Sequence, residues 1–270
     1  MIETQEETFR KKLRKFYGSS EVYLHHLDRD DASYFKRYLI FVDRFASQAR
    51  TILDAGCGTG FSSYLLSQKK EKVVGLDLSP LFLKKGRARF KANNLLLTAG
   101  DILELPFRDE TFDLVSSYLV IETLPDVKRG IEEMARVVKR GGMLIVLAPN
   151  LLSPIWPIRD FFQLLLGKSA SPVWSATPRE ALKTFRRNFT VSFHKLFERE
   201  PKFLYREPDL TCKRVVGRDS ESVCLVSPLD LARVLEKKGF RILRIGSKSG
   251  LLGRIFPSFS IALEVVAQKK

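Results

Sequence analysis

Short apolar runs alternate along this chain with stretches in which hydrophobic side chains recur every three or four positions. The runs predict strands near 51–54, 72–76, 94–98, 112–117 and 142–148, and the helical spacing predicts helices near 61–69, 80–91 and 127–139. Such alternation implies parallel strands joined by right-handed crossovers, an α/β architecture. Residues 1–50 read mostly as helix, interrupted after Tyr17 by Gly18-Ser19-Ser20. Towards the other end, Ser227-Pro228 opens a helix over 228–238, and strands follow over 240–246 and 259–267.

The first strand ends in Asp54, and Gly56, Gly58 and Gly60 follow at alternate positions before an amphipathic helix begins at Phe61. Glycine suits a sharp turn where a ligand must lie against backbone N–H groups at a helix start without a Cβ in the way. The spacing G-x-G-x-G differs from the dinucleotide fingerprint and lacks the Gly-Lys-Ser/Thr ending of a P-loop. A second acid, Asp77, ends the second strand, where a doubly wound fold grips ribose hydroxyls. A third, Asp101, follows the third strand and is placed to reach an exocyclic amine. Plain turns and solvated strand ends account for each feature singly but not for the set, which describes an adenosine site.

The segments LDAGCGTG (53–60), VVGLDLSP (73–80), GDILELPFRDETFDLVSS (100–117) and RVVKRGGMLIVLAPN (136–150) occur in one order and spacing. In these the chain resembles class I S-adenosylmethionine-dependent methyltransferases, particularly the group that includes the ubiquinone- and menaquinone-pathway enzymes. The resemblance implies a doubly wound, Rossmann-like seven-stranded sheet, its last strand antiparallel beside the fifth, with S-adenosyl-L-methionine as cofactor. It implies that Gly56, Gly58 and Gly60 line the methionine and ribose portions, that Asp77 binds the ribose hydroxyls, and that Asp101 and Ile102 hold the adenine. Asp54, Cys57, Leu78 and Ser117 are grouped with them as cofactor-binding candidates. N-terminal helices in this family fold over the cofactor, which makes Tyr17, Tyr23 and Tyr34 candidates for contact, although core packing is the simpler role for each. Val120-Ile121-Glu122-Thr123-Leu124-Pro125 follows a family pattern in which histidine is common at the position of Thr123, so no role can rest on that histidine.

The resulting division is a helical cap (1–50), a cofactor-binding core (51–150), an insertion after the fifth strand that shapes the acceptor pocket (151–226), and a completion of the core sheet (227–270). An N-P-P-Y-type tetrad is absent after the fourth strand, and no cysteine stands there to attack a pyrimidine ring, which disfavours two large groups of nucleic-acid methyltransferases. The expected acceptor is therefore a small molecule or lipid-like compound, methylated at oxygen or carbon. A hydroxyl acceptor needs a base, for which His25, His26, Glu122, Tyr118 and His194 are candidates. An RNA-directed enzyme and a non-catalytic cofactor-binding partner subunit are the alternatives.

Composition changes this picture in one respect. Hydrophobic residues at 44% and charged residues at 29% are ordinary for a soluble globular protein, but the formal net charge is +15. Such a balance suits a solvated basic surface, nucleic acid or an anionic membrane. Within the insertion, Leu151–Leu166 is apolar but too interrupted by prolines and charges to span a bilayer, and reads as a helix packed on the core or an apolar lid touching a membrane interface. Phe185–Phe197 interleaves aromatic and basic residues, which suits an anionic, lipid-headgroup or stacked-base partner. Cys57, Cys212 and Cys224 show no paired spacing, so neither a disulfide framework nor a metal site is expected. The N-terminal segment is acidic and lacks the apolar stretch of a secretory signal, which predicts a cytoplasmic protein. Oligomeric state is not readable from the sequence.

Overall fold

Because successive residues of the central strands are apolar, each strand must be covered on both faces. The computed structural model, which describes residues 5–19, 31–167, 175, 177–208, 210, 223–247 and 255–270, shows how this is achieved. Helices α1 (Gln5–Ser19) and α2 (Ala32–Phe45) precede β1 (Thr51–Ala55), α3 (Phe61–Ser67), β2 (Lys72–Asp77), α4 (Pro80–Arg89), β3 (Leu95–Ala99) and β4 (Phe112–Tyr118). A 3-10 turn at Ile121–Thr123 leads to α5 (Val127–Val137) and β5 (Val138–Pro149), followed by α6 (Ile155–Leu165) and α7 (Pro178–His194). The short strands β6 (Leu204–Tyr205) and β7 (Cys224–Leu225), helix α8 (Pro228–Lys237), and strands β8 (Phe240–Ile245) and β9 (Ala262–Lys269) complete the described elements.

The sheet is seven-stranded in the order β3-β2-β1-β4-β5-β9-β8. Strands β1 to β5 run parallel, and β9 inserts antiparallel between β5 and β8. Alternation sorts the side chains. Leu53, Val115, Leu144 and Val146 pack with Ile131 and Met134 of α5 and with Leu231 and Leu235 of α8. Ile52, Leu114, Ile145 and Leu147 join Tyr38, Phe41 and Val42 of α2 on the opposite face. Helix starts follow the sequence closely. Ser79 accepts from the Phe82 N–H with Pro80 in the first turn, Asp126 accepts from the Arg129 N–H, and Ser227 accepts from the Leu229 N–H.

Two boundaries differ from the sequence expectation, each for a local reason. Strand β5 begins at Val138, ahead of the apolar run, because Phe112 pairs with Val138 before the register shifts to Leu114 and Met143. The intervening Lys139 reaches Asp113 at 2.7 Å. Strand β9 begins at Ala262 because Pro257–Phe259 form a 3-10 turn. The Asn150 side-chain amide donates to the Ser258 and Ser260 carbonyls at 3.0 and 2.7 Å, holding that turn against the end of β5.

The segment after β5 is anchored mainly by polar contacts. Asn188 of α7 donates to the Leu151 and Ser153 carbonyls at 3.1 Å each, and the Ser192 hydroxyl donates to the Leu152 carbonyl at 2.8 Å. Just past α7, the buried Lys195 ammonium lies 3.0 Å from the buried Asp230 carboxylate on α8. Strands β6 and β7 form a small antiparallel pair beside the 3-10 turn after β4, where the Val223 N–H donates to the Glu122 carbonyl.

Candidate functional site

In open α/β sheets, ligands bind outside the carboxyl ends of the strands where the strand order reverses. Here that point lies between β1 and β4. The loop after β1 is glycine-rich because its backbone is left-handed three times over, at Gly56 (φ +82°), Gly58 (+58°) and Gly60 (+84°). Gly56 and Cys57 donate to the Leu76 carbonyl at 2.7 and 3.0 Å, which ties the loop to β2. The glycines face different surroundings. A Cβ on Gly56 would stand 2.4 Å from Val120, whereas one on Gly58 would meet nothing within 4 Å. Gly56 is small for the protein's own packing; Gly58 leaves room for something else.

Three hydroxyls fix the loop from beneath. The Asp54 carboxylate is buried and accepts from Ser62 and Ser63 at 2.7 Å each and from Tyr38 at 3.1 Å. Burial raises its pKa, and the three hydrogen bonds oppose the shift. Asp54, grouped with the ligand-binding residues on sequence grounds, thus directs its carboxylate to the protein's own hydroxyls. The Tyr38 hydroxyl also lies 2.6 Å from Ser116 Oγ, so it couples α2 to β1 and β4. Tyr38→Phe is expected to destabilise the protein by about 1 kcal/mol, because Asp54 and Ser116 each keep another partner. Urea unfolding with an unchanged m-value would measure it.

Asp77 at the tip of β2 accepts from the Gly58 and Ser79 N–H groups, each at 2.8 Å. Its pKa is pushed up to about 6, chiefly by burial, with the nearby Asp54 adding to the rise. Each of its oxygens keeps acceptor capacity beyond one backbone bond. Across the loop, Ser117 of β4 is buried and its hydroxyl has no hydrogen-bond partner among the described residues. A ligand carrying hydroxyl donors and further polar atoms fits these groups: the open side of Gly58, the under-used Asp77 carboxylate and the orphaned Ser117 hydroxyl. The Cys57 thiol packs under the loop, where a Cβ on Gly75 would come within 2.9 Å of it, and burial raises its pKa well above the usual range.

Asp101 is differently placed. Its Oδ2 accepts from Arg14 at 2.9 Å and Arg10 at 3.3 Å, and its Oδ1 accepts from the Leu103 N–H. Helix α1 therefore crosses the end of β3, and it also receives the Ser79 hydroxyl at the Tyr17 carbonyl. Ile102 is buried in the main core, while Leu78 is partly buried beside Asp77. Among the candidate bases, Tyr118 ends β4 and stacks on Tyr38, and its hydroxyl donates to the Tyr34 carbonyl at 3.1 Å. Burial raises its pKa, so it stays protonated near neutrality. Glu122 is buried in the 3-10 turn beyond β4, and His194 is exposed in the last turn of α7. His25, His26 and Tyr23 lie outside the described residues, as does Cys212.

Sequence reasoning missed Tyr38, Ser62, Ser63, Gly86, Arg10 and Arg14. The paired serines after the glycines and the i, i+4 arginines were visible signals. Gly86 was signalled only by being a glycine inside a predicted helix.

Residues 53–146 match a family described as a methyltransferase domain. The chain is similar to the demethylmenaquinone methyltransferase of Corynebacterium kroppenstedtii, at 41% identity over 107 residues that cover 40% of this chain and 44% of that one. It is also similar to the demethylmenaquinone methyltransferase of Staphylococcus aureus, at 28% identity over 183 residues, 66% of this chain and 75% of that one. Among solved structures, a Pyrococcus horikoshii protein aligns with a TM-score of 0.54 at 20% identity, covering 88% of this chain and 91% of that one, a likeness of fold. The chain spans about half or less of the length of the first curated relatives it matches.

Proposed function

We propose that this chain, whose residues 53–146 match a methyltransferase domain, is a class I S-adenosylmethionine-dependent methyltransferase that transfers a methyl group to a small-molecule or lipid-like acceptor at oxygen or carbon. The observation that carries this reading is the arrangement at the strand-order reversal, where Gly58 has open space beside it, Asp77 keeps acceptor capacity, the buried Ser117 hydroxyl is unpaired among the described residues, and the surrounding loop is fixed by buried hydroxyls. S-adenosyl-L-methionine supplies an activated methyl on a sulfonium with an excellent leaving group, so the protein has chiefly to align and desolvate the acceptor. Gly56, Gly58 and Gly60 shape the loop, Asp77 accepts hydrogen bonds from hydroxyls, and Ser117 offers one further donor or acceptor at the end of β4. Glu122 and His194 are the described candidates for removing a proton from a hydroxyl acceptor, Tyr118 being held protonated, and a carbon nucleophile makes a smaller demand on them. The acceptor class is supported by relatives whose names refer to demethylmenaquinone.

Transfer of label from methyl-labelled S-adenosyl-L-methionine into host extract, fractionated into lipid, polar small molecules, RNA and protein, tests the reading. Label in lipid or small molecules is the expected result; label confined to RNA or protein overturns it. The ionisation of Asp77 gives a second test. Only the charged carboxylate accepts from both hydroxyls of a diol, so cofactor affinity should be full above pH about 6 and fall on acidification. The loss is at most about tenfold per pH unit, until the carboxyl pKa of the bound state is reached. Calorimetric titrations on either side of that pH would show it, and Asp77→Asn should flatten the dependence.

A further inference from the structure

We propose that helices α6 and α7 seat this protein on the surface of an anionic lipid bilayer, a binding role separate from the catalytic reading. The argument begins with the angular arrangement of α7. Ala181, Asn188 and Ser192 face inward and are buried. Next around the helix, Phe185, Phe189 and Phe193 follow at intervals of four, and Phe197 continues the row beyond the helix end. Successive ring centroids lie 5.9, 6.5 and 5.3 Å apart. Phe189 and Phe193 are each 46% exposed and Phe197 is 71% exposed. Phe189 meets Phe259 at 5.6 Å, and Phe259 meets the exposed Phe256, so the apolar surface runs on into the turn before β9. Helix α6 adds exposed Phe162 and Leu165, with Leu166 just past its end. Single exposed apolar residues are ordinary, but a continuous aromatic row is a mark of an interaction surface.

Charge identifies what covers it. Helical spacing sets Arg179, Lys183 and Arg186 in a second row directly beside the phenylalanines, all of them exposed. None of the three forms an ion pair among the described residues. An apolar row flanked by uncompensated cations is the pattern of a helix lying in the plane of a lipid interface, rings towards the acyl boundary and cations at anionic headgroups. No helix among the described residues is long and apolar enough to cross a membrane, so the surface would lie on the bilayer. A second copy of the chain fits less well, because an isologous contact would set this basic row against its own equivalent. Single-stranded nucleic acid, which would stack its bases on such rings, is the competing partner that the test below separates.

Co-sedimentation of the full chain with phosphatidylcholine vesicles, with and without phosphatidylglycerol, tests the proposal. Binding should require phosphatidylglycerol and weaken as salt is raised. Removing two cations in Lys183→Gln/Arg186→Gln should weaken it by roughly thirtyfold, and Phe193→Asp/Phe197→Asp should abolish it. Cofactor binding by calorimetry, expected to be unchanged, reports that each variant is folded. Equal binding to both vesicle types, retention of anionic-vesicle binding by the folded variants, or no vesicle binding at all would each overturn the proposal. So would self-association or capture of single-stranded RNA that replaces vesicle binding and is lost in the same variants. These outcomes do not depend on methyl transfer, so the catalytic reading can fail while this one stands, and the reverse.

Discussion

Gly86→Ala is expected to destabilise the protein by about 3 kcal/mol or more, at the upper end of what overpacking produces. A Cβ at Gly86, in the middle of α4, would fall 1.8 Å from the Thr59 carbonyl oxygen and 2.8 Å from its carbonyl carbon. The obstacle is backbone, so no rotamer change relieves it. Nor can Thr59 retreat cheaply, because the Gly60 N–H donates to the Cys57 carbonyl at 2.9 Å and the loop is bonded to β2 through Leu76. Either α4 moves away from the sheet or the glycine loop is displaced, and cofactor binding should suffer in both cases. Urea unfolding together with calorimetry would separate these; wild-type values in both would mean that helix and loop do not pack this closely. Gly58→Ala is the informative contrast. Its Cβ meets no protein atom within 4 Å, so its stability penalty is confined to the left-handed backbone, about 1–2 kcal/mol, while its effect on the ligand should be larger than its effect on the fold.

Asp77→Ala should weaken S-adenosyl-L-methionine binding by roughly one to two orders of magnitude. Hydrogen bonds to a charged acceptor are worth roughly 1.5–3 kcal/mol, and 1.4 kcal/mol is tenfold in affinity. The substitution also releases the Gly58 and Ser79 N–H groups, each now 2.8 Å from the carboxylate, so part of the loss would come from a looser loop. Asp77→Asn separates the two contributions: its side-chain oxygen can still accept one of those backbone bonds but carries no charge, so its affinity should lie between wild type and alanine. An unchanged dissociation constant for the alanine variant would remove Asp77 from contact with the ligand.

The parallel sheet was legible because its central strands are apolar on both faces and most of them lead into helices whose starts the sequence marks. Ser79-Pro80, Asp126 and Ser227-Pro228 mark helix starts to the residue. What escaped were features set by distant contacts. Asp101 reads as a ligand-facing acid until Arg10 and Arg14, roughly ninety residues earlier in the chain, are found against it. Asp54 reads as part of the binding loop, yet Tyr38 and two serines enclose its carboxylate. The offset at β9 came from the 3-10 turn at Pro257–Phe259, whose position depends on Asn150 across the molecule. The catalytic base was beyond reach, since no local pattern ranks Tyr118 against Glu122 or relates either of them to the distant His194.

The anchoring of the segment after β5 bears on how the protein is made. Asn150 and Lys195 leave the ribosome well before some of the groups that hold them: Asn150 needs the Ser258 and Ser260 carbonyls, and Lys195 is joined by Asp230. Strand β5 likewise has β4 for a neighbour on one side but waits for β9 on the other. During synthesis, therefore, the sheet on the β3 side of β5 can form early. The Lys195 ammonium finds Glu198 and the Lys202 carbonyl soon after it is made and Asp230 later, but the Asn150 amide is answered only when the turn before β9 arrives, and over that interval the exposed aromatic helix pair is a site for aggregation.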